Sequence, residues 1–221
     1  MRNLCIPVLV FLSTICFLIA PIYAEETAPT EETGKGWRAG IKVGLNVSDV
    51  WDSDYNIPGE TVRVGFIGGG FLTVTVNKWF SVQPEILYTQ KGFGLDGARI
   101  FGFPNNFDAT VKLDYIEIPV LAVVTIPTGS FATPMVYTGP SFDFKVSARA
   151  TGSVGSLSES TSISKYIHTF DFCWIFGGGV ILDFGTLAVT AEGRYTISAL
   201  DVTDNSSMKN DLFSLLFGIG F

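Results

Sequence analysis

From Trp37 onward the chain alternates apolar and polar positions in runs too regular in their period of two to be helices. Trp37, Ala39, Ile41, Val43, Leu45 and Val47 alternate with Arg38, Gly40, Lys42, Gly44, Asn46 and Ser48, so one oily face and one polar face lie back to back on a single strand. The next apolar row is Val64, Phe66, Gly68, Gly70, Leu72, Val74 and Val76, opposite Arg63, Gly65, Gly69, Thr73 and Thr75. Asn77-Lys78 is a two-residue turn, which makes the run over 79–91 the second arm of a hairpin. That arm sets Phe80, Val82, Pro84, Ile86 and Tyr88 against Ser81, Gln83, Glu85 and Thr89.

Four more runs repeat the pattern. Ile116, Ile118, Val120, Ala122 and Val124 oppose Tyr115, Glu117, Pro119 and Leu121, while residues 112–114 at the head of this run break the rule and predict a bulge or a stretch outside the membrane. Phe142, Phe144, Val146, Ala148 and Ala150 oppose Ser141, Asp143, Lys145, Ser147 and Arg149. Phe170, Phe172, Trp174, Phe176 and Val180 oppose Asp171, Cys173, Gly177 and Gly179. Leu187, Val189, Ala191, Tyr195 and Ile197 oppose Thr190, Glu192, Arg194, Thr196 and Ser198. The eighth run, Phe213, Leu215, Phe217, Ile219 and Phe221, carries its apolar row to the last residue of the sequence.

The spacing between runs selects among all-β architectures. Polar, Gly-rich or Ser-rich stretches near residues 52–59, 92–108, 151–165 and 201–209 are long, whereas the connections at 77–78, 127–133 and 183–186 are short. Strict alternation of long and short connections is the loop pattern of an eight-stranded antiparallel up-and-down transmembrane β-barrel, with short turns in the periplasm and long loops outside. Both termini then lie in the periplasm. Trp37, Trp79, Tyr137, Phe184 and Phe221 fall at the periplasmic end and Tyr88, Tyr115, Tyr166 and Tyr195 towards the other, as two aromatic belts. A soluble lipocalin-like barrel or β-sandwich would also alternate, but with its bulky residues inside. Here the polar faces are rich in Gly, Ser and Thr, which suit a narrow lumen, and the bulky Phe and Trp suit lipid.

The N-terminus changes the picture of what is mature. Arg2, an apolar run over 4–20 and Pro21-Ile22-Tyr23-Ala24 before Glu25-Glu26 predict a secretory signal over 1–24, cut after Ala24. Residues 25–36 read as a flexible periplasmic lead segment and 37–221 as the barrel. Removing 24 of the 221 residues leaves 197, about one domain. Two of the three cysteines go with the signal, so Cys173 remains without an internal disulfide partner. The 21 acidic residues outnumber the 14 basic ones, which argues against a nucleic-acid partner.

The assembled pieces resemble the PorT-like outer-membrane β-barrel family, an outer membrane protein beta-barrel domain of Bacteroidetes type. The matching residues are Gly40-Ile41-Lys42-Val43-Gly44-Leu45-Asn46, Gln83-Pro84-Glu85 with Tyr88 and Lys91-Gly92, Tyr115-Ile116-Glu117-Ile118-Pro119, Gly139-Pro140, Asp171-Phe172, Gly177-Gly178-Gly179-Val180, Arg194-Tyr195 and Phe221. They run through nearly the whole mature chain in family order. After Pro119 the chain departs from the pattern, with Leu121-Ala122-Val123-Val124 where the family leads one to expect a Lys. The name-giving member is associated with type IX protein secretion, so the resemblance implies the fold and adds a role accessory to protein secretion.

Candidate chemistry is sparse. Lys42, Glu85, Glu117, Asp143, Lys145, Glu192 and Arg194 point into the lumen at middle heights and form a charge network that braces the barrel; the alternative is an ion or proton path. Glu85 and Glu117 alone do not make a catalytic carboxylate pair, because nothing implies a route for substrate to the centre. His168 is the sole histidine, which excludes a two-His metal site, and no cofactor is expected. By parity His168 falls on the lipid face beside Tyr166 and Phe170, with no Ser neighbour to serve as a nucleophile. Gly177-Gly178-Gly179 and Gly68-Gly69-Gly70 lie within strands and are not phosphate loops.

The reading is therefore a non-enzymatic integral outer-membrane barrel. Trp51, Tyr55, Ile57, Phe93, Leu95, Ile100, Phe101, Phe103 and Phe107 are loop candidates for contact with a surface or secretion-system protein, a glycan or the outer leaflet. Phe213, Leu215, Phe217, Ile219 and Phe221 are the expected signal for the barrel-assembly machinery. A lipid-modifying enzyme and a narrow ion channel are the alternatives.

Overall fold

The computed structural model describes residues 36–51, 60–95, 107–154, 157–165, 167–199 and 209–221. These contain the strands β1 (Trp37–Trp51), β2 (Glu60–Asn77), β3 (Phe80–Leu95), β4 (Phe107–Thr125), β5 (Ala132–Val154), β6 (Leu157–Ser162), β7 (Phe170–Asp183), β8 (Ala188–Ser198) and β9 (Lys209–Gly220). The expected signal over 1–24 and the lead segment up to residue 35 lie outside the described residues.

Eight of the strands close an antiparallel barrel. Each pairs with its sequence neighbour, β5 pairs with β7, and the circle closes where β1 meets β9 from Gly40↔Gly220 to Trp51↔Lys209. Ala39 and Phe221 exchange both backbone hydrogen bonds at that seam, at 3.3 and 2.9 Å. Closure leaves the wall no open edge, so the backbone ladders run strand to strand around the whole circle. The ninth strand, β6, pairs only with the end of β5, from Arg149↔Ser162 to Val154↔Leu157.

The three short turns gather at one rim, and side-chain oxygens hold them. Asn77 Oδ1 accepts from the backbone N–H groups of Trp79 and Phe80 at 2.9 and 3.0 Å. Thr128 and Ser130 both bond the Ala132 carbonyl, and Asp183 Oδ1 accepts from the Gly185 N–H at 2.8 Å. Short polar side chains bonding their own backbone make such turns with few residues. Gly185 takes a φ of 85°, which a residue with a Cβ adopts only under strain.

Alternation sorts the faces as the sequence predicts. Ile41, Val43, Leu45 and Val47 on β1 and Phe213, Leu215, Phe217 and Ile219 on β9 point outward and are exposed, with Phe217 at 63%. Lys42, Asn46 and Ser48 point inward and are buried. The lumen is not made only of small and charged residues, however. Ile67 and Phe71 of β2, Leu87 of β3, Leu121 and Val123 of β4, Met135 and Tyr137 of β5, Ile175 of β7 and Leu216 of β9 are also turned in and buried. Tyr115 and Tyr137, expected in the aromatic belts, are inside at 3% and 4% exposure because they occupy inward register positions. Tyr137 fits because its neighbour on β7 is Gly177, where a Cβ would stand 2.3 Å from the Tyr137 ring.

A bulge sits on β5, opposite the stretch of β4 that breaks the sequence rule. Asp114 pairs with Ser147 and Tyr115 with Lys145, which leaves Val146 as an extra residue. Below it Ser141 and Asp143 face the lumen; above it the parity reverses, so Ala148 is buried inside and Arg149 is exposed. The apolar row predicted through Ala148 and Ala150 therefore ends at Val146, because one inserted residue flips every side chain that follows.

The strands are also longer than expected away from the turn rim. A membrane crossing needs roughly 9–11 residues, yet β4 has 19 and β5 has 23. β3 runs to Leu95 and β4 begins at Phe107, within residues expected as loop, and β6 forms from the Ser-rich stretch. Hence β2 to β6 continue beyond the barrel wall as one sheet.

Candidate functional site

The inward faces of β1, β3 and β8 bring four charges to one point. Lys42 Nζ lies 2.8 Å from Glu85 Oε1 and 2.9 Å from Glu192 Oε1. Arg194 Nη2 lies 2.8 Å from Glu85 Oε2 and 3.8 Å from Glu192 Oε2. Two neutral donors add to these pairs: Gln83 Nε2 donates to Glu85 Oε1 at 2.8 Å, and the Thr190 hydroxyl donates to Glu192 Oε1 at 3.0 Å. Thr73 in turn holds the Gln83 carbonyl at 2.8 Å. Lys42 also lies over the Phe71 ring at 4.8 Å and Arg194 over the Tyr137 ring at 5.5 Å. Two cations and two carboxylates balance, and each is at least 95% buried.

A second group lies further from the turn rim. Lys91 Nζ of β3 is 2.9 Å from Glu117 Oε1 and 2.7 Å from Asp143 Oδ2, and it sits 5.0 Å from the Tyr115 ring centroid. Glu117, Asp143 and Asp171 occupy one cross-strand row, Glu117↔Asp143 on β4 and β5 and Asp143↔Asp171 on β5 and β7. Ser141 donates to Asp143, and Ser198 bonds both oxygens of Asp171 at 2.9 Å. The Cys173 thiol reaches Asp143 Oδ2 at 3.3 Å and Asp171 Oδ2 at 3.6 Å. Like charges directly opposite repel, so Lys91 and these donors hold the row together.

Apolar layers lie against both groups. Leu121, Val123, Met135, Tyr137 and Ile175 pack as one cluster, with Ile181 against it. Ile67, Leu87 and Leu216 pack as another. Leu113, Tyr115 and Ala148 form a third, against which Ile163 and Ile167 pack. The connection before β7 is thus folded onto the end of the lumen: the Ile163 N–H donates to the Ala148 carbonyl and the Lys145 N–H to the Thr169 carbonyl.

Six of the seven network residues read from sequence, Lys42, Glu85, Glu117, Asp143, Glu192 and Arg194, fall into these two groups. Lys145 does not. Its register position is inward, opposite Tyr115, but Nζ donates to the carbonyls of Ser164 (2.7 Å) and Ile167 on the connection before β7. The groups have two further members. Lys91 has the parity of Glu85 at the end of the run over 79–91, beyond Thr89 where the polar face is read to stop, and Asp171 has the register of Asp143, which only the pairing of β5 with β7 reveals.

Of the loop contact candidates, Trp51, Phe93, Leu95 and Phe107 lie within β1, β3 and β4, whereas Tyr55, Ile57, Ile100, Phe101 and Phe103 lie outside the described residues. His168 is exposed on the connection before β7 rather than on a strand. Among the described residues no group of three or more His, Cys, Asp or Glu is placed to hold a metal ion.

Residues 24–204 match a family model described as outer membrane protein beta-barrel domain. No curated protein matches the chain. Among solved structures, the chain is similar to Ail, the attachment invasion locus protein of Yersinia pestis, in complex with the heparin analogue sucrose octasulfate. Identity is 17%, 85% of this chain and 100% of that chain are covered, and the TM-score is 0.43. Neisserial surface protein A gives 13% identity, 85% and 98% coverage and a TM-score of 0.46. The outer membrane protein OprG of Pseudomonas aeruginosa gives 13%, 84% and 94%, and 0.45.

Proposed function

Since the chain belongs to the outer membrane β-barrel domain family, we propose that it is a non-enzymatic integral protein of the outer membrane that works through the sheet projecting from its long-connection rim. The observation that carries this is the filled lumen. Lys42, Glu85, Glu192 and Arg194 occupy it at one level and Lys91, Glu117, Asp143 and Asp171 at the next, and buried apolar clusters share the interior with them. Eight strands leave an interior just wide enough for side chains. The part of the fold left for a partner is the continuation of β2 to β6 past the wall, where strands carry regular backbone and polar side chains into the surroundings.

In this reading both termini and the three short turns are periplasmic, and the projecting sheet faces outward from the cell. Its partner is a surface or secretion-system protein, and the resemblance to PorT-like proteins makes an accessory role in protein secretion the specific version. The acidic rows serve as internal braces rather than as an ion path.

Two measurements on one preparation test it. With Cys173 replaced by Ser, a cysteine introduced at Ser160 should react with a membrane-impermeant maleimide in intact cells, while one at Lys78 should not. The purified barrel in planar bilayers should conduct at background. A defined ion-selective conductance, abolished in Glu117→Ala, would make the lumen a channel and remove the basis of the proposal.

A further inference from the structure

Above the bulge, one cross-strand row runs over four strands: Gly92 of β3 pairs with Lys112 of β4, Lys112 with Arg149 of β5, and Arg149 with Ser162 of β6. Lys112 and Arg149 are both exposed. Two cations stand in direct register, where cross-strand neighbours are only about 5 Å apart and like charges repel. Among the described residues neither meets a carboxylate within ion-pair distance. Asp114, half-buried on the same face of β4, is opposite Ser147 rather than Arg149, and Asp108 lies on the far side of Lys112 opposite Ser153. The positions flanking the pair in the row are Gly92 on one side and Ser162 on the other, neither of which carries a charge.

The height of this row names its ligand. The last outward apolar residues before it are Ile116 on β4 and Val146, 62% exposed, on β5. Lys112 is about 13 Å of strand beyond Ile116; with a strand tilt near 40° that is about 10 Å above the apolar band. The polar headgroup layer occupies roughly 5–8 Å on each side of the hydrocarbon, and Lys and Arg side chains are long enough to lean back into it. We propose that Lys112 and Arg149 form a docking shelf for the phosphate groups of the glycolipid of the outer leaflet. Both donors converge on one phosphate, Arg149 through its planar fork and Lys112 as a point charge, and the acyl chains then lie along Ile116, Phe144 and Val146. The inference rests on the outward orientation of the sheet proposed above.

The experiment uses the full chain in detergent, with diphosphorylated lipid A and its dephosphorylated form as probes and native mass spectrometry as the readout. The unmodified protein should retain the diphosphorylated lipid about tenfold more tightly than the dephosphorylated one, and Lys112→Gln with Arg149→Gln should lose that factor. Ser162→Arg, which extends the cationic row by one strand, should strengthen retention, and it keeps the test alive if the double variant folds poorly. Equal retention in the double variant, equal retention of the dephosphorylated lipid, or inorganic phosphate bound as tightly as the diphosphorylated lipid overturns the proposal, the last showing an adventitious ion only. Because binding in detergent does not depend on which way the sheet faces, the maleimide labelling at residue 160 reports the orientation separately.

Discussion

Glu85→Ala is the sharpest test of the brace. Glu85 holds Lys42 and Arg194 at 2.8 Å each and accepts from Gln83 at 2.8 Å, and its side chain is wholly buried. Its removal leaves two buried cations facing Glu192 alone, which is 2.9 Å from Lys42 but 3.8 Å from Arg194. Breaking a buried pair from one side costs about 3–5 kcal/mol, because the stranded charge keeps its desolvation penalty. With an m-value near 2 kcal/mol/M in urea, that lowers the unfolding midpoint by about 2 M. The assay is urea unfolding in lipid vesicles, read as loss of the fast-migrating band on unboiled gels. The control is Glu85→Leu combined with Arg194→Met, which leaves Lys42 and Glu192 as a balanced pair and should recover at least half of the loss, since apolar replacement of a whole pair is often close to neutral. A single variant within about 1 kcal/mol of the unmodified protein, or a double variant that falls by the sum of two separate losses, refutes the reasoning.

Three further outcomes follow from the same geometry. Phe221→Asp should block insertion, scored by the absence of the heat-modifiable band in outer-membrane fractions; normal display of that variant would count against Phe221 as part of the assembly signal. Deleting Val146 should leave the barrel folded, because it removes only the bulged residue, whereas deleting Ile118 from the unbulged β4 should prevent folding by turning the side chains on one side of the cut to the opposite face. Cys173, 1% exposed beneath Asp143 and Asp171, should resist thiol reagents in the folded barrel and react at full rate only in urea; fast modification without unfolding would show that the lumen is open to solutes.

The wall of the barrel was legible in the sequence because one physical rule, period two with oily residues outward, governs every strand. Ile41, Val43, Phe213 and Phe217 needed nothing else to be placed. The lumen was legible only in part. Lys42, Glu85 and Arg194 are charged residues on a face otherwise small and polar, so they stood out, but inward Ile67, Leu87 and Ile175 do not differ in kind from their outward neighbours and were hidden within apolar runs. The reversal at Ala148 and Arg149 depends on Val146 being unpaired, a property of two strands in register that no single strand displays. Lys145 shows the limit most clearly. Its parity gave the inward position, yet backbone carbonyls of a connection 19 and 22 residues later in the chain take its ammonium away from the acids.

The central ion cluster also constrains the order in which the barrel assembles. Lys42 comes from the first strand, Glu85 from the third, and Glu192 and Arg194 from the eighth, with sequence separations of 43, 109 and 150. A growing sheet that has formed only its early hairpins can pair Lys42 with Glu85, but Glu192 and Arg194 have no way to join them until the two ends of the sheet meet. Until then their charges belong in water, and a half-curled sheet that sank into lipid would carry them unpaired at a cost of several kcal/mol. Long-range closure is thus the step that makes burial affordable, which makes folding slow and insertion all-or-none.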